Sequence, residues 1–148
     1  MLAYKLTQPT STANAGMLNR FCAKDGKEYA YVQANGAIAQ YDVVGIDEAG
    51  QAAPLTKAMA DDGWKIGVAQ VAFADNEFGY VQIRGVTTMN VLASCAADTV
   101  LYTSATAGSL DDTSTSQTKI AGIVATVADG GSGGSVAAFA AIEPYASL

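Results

Sequence analysis

One long alternating run, from Tyr80 to Ala93, constrains the fold more than any other part of this sequence. Its odd-numbered residues would line one face of a β-strand, and its even-numbered residues would line the other. Such a strand would be roughly 45 Å long if it were straight, whereas typical strands have about five or six residues. Because sheets twist and must bend to close, we expect a bend at Gly85, which has no Cβ. The strand would then serve one sheet before Gly85 and another sheet after it.

The chain beyond this run is a series of short β-like segments separated by Gly, Asp and Asn. This spacing predicts a mainly β protein, a small antiparallel β-barrel or sandwich. The stretch ANG at Ala34–Gly36 indicates a tight hairpin turn. One short helix is predicted within residues 51–63, with Pro54 in its first turn and Gly63 at its end.

Residues 1–20 differ from the remainder, since they are rich in Thr, Ser, Ala and Asn and show no sustained periodicity. We expect an N-terminal arm that is extended or mobile by itself. Residues 21–148 would form the β-rich domain.

The charge balance argues against two classes of partner. The chain has 148 residues, with 8 Lys and Arg against 14 Asp and Glu and a net charge of −6. Nucleic-acid binding needs clustered basic residues, whereas the basic residues here are scattered. No apolar run approaches the roughly 18 residues of a membrane span, and the first residues lack a signal-peptide pattern. We therefore expect no nucleic-acid or membrane partner, and a chain that stays in the cytoplasm where it is made.

Few residue types here could carry catalysis. The sequence has no histidine, so catalytic triads, Cys-His pairs and histidine-based metal sites are unsupported. We expect the adjacent carboxylates to lie at turns, where Asp bonds to nearby backbone N–H groups. These pairs are Asp47-Glu48, Asp61-Asp62 and Asp111-Asp112. The prediction is a protein with no enzyme activity, no cofactor and no metal site.

The cysteines and the aromatic residues each allow two interpretations. Cys22 and Cys95 are interpreted as buried free thiols, and a disulfide between them is the alternative. The tyrosines fit packing in the core and at its rim, and a sugar-binding platform of stacked rings is the alternative.

Four segments carry a pattern of Gly, Val and turn residues: Gly67–Ala69, Val81–Val86, Leu101–Leu110 and Ile120–Val124. They read GVA, VQIRGV, an LY pair followed by Gly and Leu, and IAGIV. Together with an early stretch from Tyr31 to Pro54, this pattern resembles the capsid cement, or head decoration, proteins of tailed bacteriophages. The likeness covers about residues 28 to 145, and its motifs include no catalytic residue.

The resemblance implies a β-tulip-like fold and a virion protein on the outer surface of the phage head. Such a protein would bind the major capsid protein, form a homotrimer and clamp neighbouring capsomers against internal DNA pressure. The arm would add to an exposed sheet edge on the capsid protein. We hypothesise that its contacts are made by Leu2, Tyr4, Leu6, Pro9 and Met17.

Three alternatives stay open. A phage tail or fibre β module that binds carbohydrate or a host surface would need an exposed aromatic cleft. An enzyme would need a polar cluster in one deep pocket. A neck or tail-tube component would form rings of six copies instead of three.

Overall fold

The computed structural model describes residues 9–147, except for the side chains of residues 140–147. Over this range the expected mainly β class and small barrel are confirmed. Within the same range, no helix is long and apolar enough to span a lipid bilayer. The elements are β1 (Arg20–Cys22), β2 (Glu28–Ala34), β3 (Val43–Ile46), β4 (Gln51–Pro54), α1 (Lys57–Asp61), β5 (Lys65–Val68), β6 (Phe78–Val91), β7 (Leu101–Thr103), β8 (Leu110–Asp111), β9 (Lys119–Ala125) and β10 (Gly134–Ser147).

The first half of β6 takes part in a closed five-stranded barrel with β2, β4, β3 and β5. Strand β2 runs antiparallel to β6 over the register from Gln33–Phe78 to Glu28–Arg84. The apolar side chains of the barrel strands point inward and fill the space between them. This core includes Val32, Ile38, Val44, Ile46, Val81 and Ile83.

The second half of β6 belongs to another set of strands. It pairs antiparallel with β10 from Val91–Gly134 to Gly85–Ala140. Strand β9 then pairs with β10, β7 with β9, and β8 with β7. A parallel pair, Val91 with Leu110, links β8 back to β6, so the path of pairing forms a second ring. Its core includes Met89, Val91, Leu101, Leu110, Ile120 and Ile123, and it packs against Val43 and Ile66 of the barrel.

Strand β6 changes partner at Gly85, where the backbone has a φ of 95°. A Cβ at this position would lie 3.0 Å from Cγ and 3.2 Å from Cα of Lys27. The buried side chain of Gln82 spans the bend, because its Nε2 donates to the carbonyl oxygens of Arg84 (3.1 Å) and Val86 (2.7 Å). The odd-numbered side chains stay buried on both sides of the bend, as the alternation predicts.

The hairpin expected at Ala34–Gly36 is not formed. Instead β2 runs parallel to β4, and β4 forms the hairpin with β3. The chain after Asn35 lies against residues 73–75 and does not return along β2. The N–H of Gly36 donates to Oδ1 of Asp75 (2.8 Å), and Ile38 pairs with Phe73. The pairing of the described strands is mostly antiparallel, as expected, and the parallel pairs are β2–β4 and β6–β8.

The helix is shorter than the sequence predicts. Gln51–Pro54 form strand β4, and the helix begins only after Thr56, whose Oγ1 accepts from the N–H of Met59 (3.4 Å). Strand β4 is fixed by pairing with both β2 and β3, and this long-range pairing outweighs the local helical spacing. Gly63 follows the helix with a φ of 74°, a conformation that suits the residue after a helix end.

Residues 9–19 run along the body, which differs from the expectation of an arm that is extended or mobile by itself. Thr10 and Phe78 exchange two backbone hydrogen bonds of 2.8 and 2.7 Å. The N–H of Asn14 donates to the Tyr31 hydroxyl (2.9 Å), and the N–H of Leu18 donates to the Tyr31 carbonyl (2.8 Å). This segment covers apolar surface that would otherwise face water, which is the physical reason for its binding. Ala15 and Met17 pack on Tyr29, Tyr31 and Tyr80, and Leu18 packs on the barrel core.

Candidate interaction face

The five arm residues of the contact hypothesis fall into two groups. Leu2, Tyr4 and Leu6 lie outside the described residues. Pro9 and Met17 are half-buried against the body. A Cβ at Gly50 would lie 3.1 Å from Cβ and Cε of Met17, so this side chain is already engaged within the chain.

A different surface emerges from the strands of the second ring. In β6 beyond Gly85, in β10 as far as Phe139 and in β9 from Ile123 onward, the inward side chains are buried and their outward neighbours are exposed or half-buried. We call these outward residues the uncharged face, because none of the eight is ionisable. They are Val86, Thr88 and Asn90 of β6, Ser135, Ala137 and Phe139 of β10, and Val124 with the adjoining Thr126 of β9.

The register aligns these residues into rows across the three strands. Phe139 lies opposite Val86 on one side and opposite Val124 on the other, which gives an apolar row of three side chains. Their exposed fractions are 45% for Phe139, 57% for Val86 and 38% for Val124. Side chains opposite each other on neighbouring strands lie about 5 Å apart, so this row is a continuous apolar strip.

The next two rows are polar but uncharged. Ala137 lies opposite Thr88, and its carbonyl oxygen accepts from the N–H (2.9 Å) and the hydroxyl (3.0 Å) of Thr126. Ser135 lies opposite Asn90, and its hydroxyl donates to Oδ1 of Asn90 (2.8 Å). The hydroxyls are thus partly occupied by neighbours on the same face, which lowers the cost of covering them.

The tyrosine cluster of the five-stranded barrel does not form a sugar-binding platform. Tyr29, Tyr31 and Tyr80 are buried, and their rings pack with those of Phe21 and Phe78. The chain segment that includes residues 15–23 covers this cluster. Packing in the core and at its rim is therefore the role that the structure assigns to these rings.

An open groove of about 420 Å³ lies beside the half-exposed indole of Trp64. The ring packs close to the backbone, since a Cβ at Gly45 would lie 3.3 Å from its Cε3. Carboxylates line the same groove, from Asp47, Glu48 and Asp62. An aromatic surface next to hydrogen-bond acceptors is chemistry that can hold a sugar.

The turn role expected for the acidic pairs is seen at Asp47, whose Oδ1 accepts from the N–H groups of Ala49 (2.9 Å) and Gln51 (2.8 Å). For two other members of these pairs the expectation is wrong, because Asp61 lies in α1 and Asp111 lies in β8.

Another carboxylate, that of Asp129, orders a loop in the same way. Its Oδ2 accepts from the N–H groups of Ser94 (3.0 Å), Gly131 (2.8 Å) and Gly133 (3.0 Å). These bonds, led by that of Ser94, hold the pKa of Asp129 below its ordinary value. The carboxylate thus orders the Gly-rich loop before β10.

The buried carboxylate of Asp42 explains why a glycine, Gly108, stands in one of the four segments that carry the resemblance. Oδ2 of Asp42 accepts from the N–H of Ala39 (2.9 Å), and its Oδ1 accepts from Nδ2 of Asn90 (3.0 Å). Gly108 lies directly against it with a φ of 83°, and a Cβ there would come within 2.6 Å of the Asp42 Cγ. The N–H of Gly108 also donates to the carbonyl of Leu55 (3.0 Å), so the glycine joins the two rings.

The cysteines are both free thiols, which excludes the disulfide in this structure. Cys95 is buried as expected, and burial, together with the carboxylates of Asp112 and Asp111, raises its pKa to about 11. Cys22 is exposed, which corrects the expectation that both are buried. It lies on the short strand β1, whose side chains contribute little to the core.

Among the described residues, no group of three or more His, Cys, Asp or Glu side chains is placed to hold a metal ion. A scan against protein-family models finds no match to this chain, and a search of the curated proteins finds none either.

Sequence reasoning did not single out the uncharged face. The alternation places Arg84, Val86, Thr88 and Asn90 on one side of β6, but it does not say which strands lie beside them. The sequence shows a valine at position 86 among polar outward residues, but a single surface apolar residue does not by itself indicate a contacting surface. The register of β9 and β10 on β6 does not follow from a single sequence.

Proposed function

We propose that this chain is a phage head decoration protein that binds the outer surface of the mature capsid. The observation that carries the proposal is the position of the resembling segments. Gly67, Val81, Leu101, Gly108 and Ile120 all occupy packed positions of the two rings. The likeness is thus a likeness of framework residues, which decide how a chain of this kind folds and which faces it presents.

The proposed binding segment is the first eight residues. Thr10 pairs with Phe78 at the start of β6, so the point to which the first eight residues are joined lies at that end of the barrel. Eight residues can reach about 27 Å when extended. Leu2, Tyr4 and Leu6 would share one face of an added strand, and backbone hydrogen bonds to a sheet edge of the major capsid protein would supply affinity.

The proposed effect on the shell follows from linkage. A ligand that binds only the assembled shell stabilises it by RT ln(1 + [L]/Kd), about 4 kcal/mol per site at a thousandfold excess over Kd. A homotrimer that contacts several capsomers at once adds avidity to this effect. Many such sites on one head would resist the pressure of the packaged DNA.

The test is co-sedimentation with phage heads that lack the protein. We compare the full chain with a form that lacks residues 1–8, which leaves residues 9–19 in place to cover the aromatic cluster. The expected result is that the shortened form unfolds at the same temperature as the full chain but binds heads at least tenfold more weakly. Normal binding by the shortened form would refute the arm, and no binding by the full chain would refute the capsid proposal.

A second candidate function has one observation in its favour, the groove beside Trp64. A tail or fibre module that binds a carbohydrate or a host surface could use the indole as a stacking surface and the carboxylates of Asp47 and Glu48 as hydrogen-bond acceptors. A glycan array probes this function directly. Binding of one glycan class that is lost in Trp64→Ala would favour the carbohydrate function over decoration.

A further inference from the structure

We infer that the groove beside Trp64 binds an arginine side chain of a basic partner protein. The inference goes beyond capsid binding and does not depend on it, because binding to the groove is measured on the isolated chain without heads. The carbohydrate alternative concerns the same groove, and the experiment below distinguishes the two ligands.

The fold holds the indole of Trp64 in place and leaves part of it open to the groove. The backbone N–H of Trp64 donates to the carbonyl of Met59 in α1 (3.1 Å). Gly45 of β3 makes room for the ring, because a Cβ there would lie 3.3 Å from Cε3 of Trp64 and 3.1 Å from Sδ of Met59. The ring is therefore positioned before a ligand arrives, which reduces the ordering cost of binding.

The floor of the groove is apolar and its rim is acidic. Leu18 and Ile46 line the groove beside the indole. An arginine side chain can lay its aliphatic stem along such a surface while its charged end stays at the rim. The shape of the groove thus suits a ligand that is apolar along its length and polar at its tip.

The charges of the rim select a cation. Three carboxylates, those of Asp47, Glu48 and Asp62, stand against one ammonium group, that of Lys65. Within the part of the chain that the structure describes, the carboxylates of Glu48 and Asp62 have no hydrogen-bond or ion-pair partner, so they are available to a ligand. The net charge of −6 also attracts a basic partner at longer range.

The combination of an indole and carboxylates favours arginine over lysine. The guanidinium group is planar, so it can stack on the face of an aromatic ring. It can also donate two parallel hydrogen bonds to one carboxylate. The ammonium group of lysine is a compact point charge, which makes neither contact as well.

The experiment is an NMR titration of the full chain with a blocked Gly-Arg-Gly peptide. Trp64 is the one tryptophan of the sequence, so its indole N–H gives a single resonance that reports on the groove. The matched ligand is Gly-citrulline-Gly, which has nearly the same shape as the arginine peptide but no charge. Glu48→Gln and Asp62→Asn each remove one charge from the rim. The control variant is Asp98→Asn, because Asp98 is exposed and lies outside this groove.

We expect the arginine peptide to shift the indole resonance saturably, with a Kd on the order of a few millimolar at low salt. The citrulline peptide should bind about fivefold more weakly, and each rim variant should bind the arginine peptide about threefold more weakly than the wild type and Asp98→Asn do. Unchanged unfolding temperatures show that the variants are folded.

Equal binding of the two peptides would overturn the inference, and so would rim variants that bind the arginine peptide like the Asp98→Asn control. An indole resonance that does not move up to about 50 mM peptide, well above the expected Kd, would overturn it as well. A saturable shift with a methyl glucoside but not with the arginine peptide would assign the groove to a carbohydrate and refute the inference.

Discussion

Replacement of Gly85 by alanine should destabilise the protein by about 2–3 kcal/mol. Gly85 has a φ of 95°, and a side chain in a sparsely populated backbone region costs about 1–3 kcal/mol. The new Cβ would also lie 3.2 Å from the Cα of Lys27, a backbone atom that cannot rotate away. Such crowding adds about 1 kcal/mol or more, whereas the stiffer unfolded chain returns about 0.4–1 kcal/mol.

Alanine substitutions at three other glycines distinguish the cost of backbone strain from the cost of crowding around the new Cβ. A Cβ at Gly16 would meet open space, and the backbone there is not left-handed, so Gly16→Ala should leave stability unchanged or slightly raised. Gly36 has a φ of 93° and open space, so Gly36→Ala isolates the backbone strain at about 1 kcal/mol. Gly108 has a φ of 83° and a buried carboxylate at 2.6 Å, so Gly108→Ala should cost more than Gly85→Ala.

The assay is equilibrium unfolding in urea, supported by thermal melts. For a chain of this size, 1 kcal/mol corresponds to about 2–4 °C in Tm, so Gly85→Ala should melt about 4–12 °C below the wild type. The expected order of stability is Gly16→Ala, Gly36→Ala, Gly85→Ala and then Gly108→Ala. If Gly85→Ala is as stable as Gly16→Ala, the bend does not require a glycine and the reasoning about β6 is refuted.

Four further predictions concern single side chains. Gln82→Leu removes the two hydrogen bonds that Nε2 donates to the carbonyls of Arg84 and Val86 and should lower the free energy of unfolding by about 1–3 kcal/mol, and an unchanged urea midpoint would show that these bonds do not stabilise the bend. The pKa of Asp129 is lowered in the folded state, so the stability that its carboxylate contributes is fully present above its unfolded pKa of about 3.9 and is lost as the pH falls through the lower folded pKa. The difference in Tm between the wild type and Asp129→Asn should therefore shrink below about pH 4. A difference that stays constant with pH would contradict this prediction. A thiol reagent at pH 8 should modify only Cys22 in the native protein and Cys95 as well after unfolding, whereas two fast native reactions would disprove the burial of Cys95. Thr56→Ala removes the N-cap and should cost about 1 kcal/mol, which a urea titration would resolve.

The sequence was sufficient for the features that depend on local pattern. The alternation of β6 and the end of the helix at Gly63 both follow from residues close in the chain. Features that depend on distant partners were not predicted. Gln51–Pro54 form a strand because β2 and β3 pair with this segment on either side. The segment before β1 packs on the body because it shields the side chains of three tyrosines from water.

The uncharged face could not be predicted from the sequence, because it too depends on strands that are distant in the chain. Phe139, Val86 and Val124 are far apart in the chain and meet only through the register of β10 with its two neighbours. A shift of one residue in that register would turn Phe139 into the core, so the alignment must be seen before the row can be recognised. The arm hypothesis, by contrast, came from the sequence and stays a prediction for residues 1–8.

Electron cryomicroscopy of phage heads, prepared with and without this protein, tests the proposed function most directly. We expect additional density on the outer surface of the expanded shell, clustered in threes around three-fold or quasi-three-fold positions and bridging neighbouring capsomers. Heads that show no additional density at saturating protein, or density found only on the tail, would contradict it.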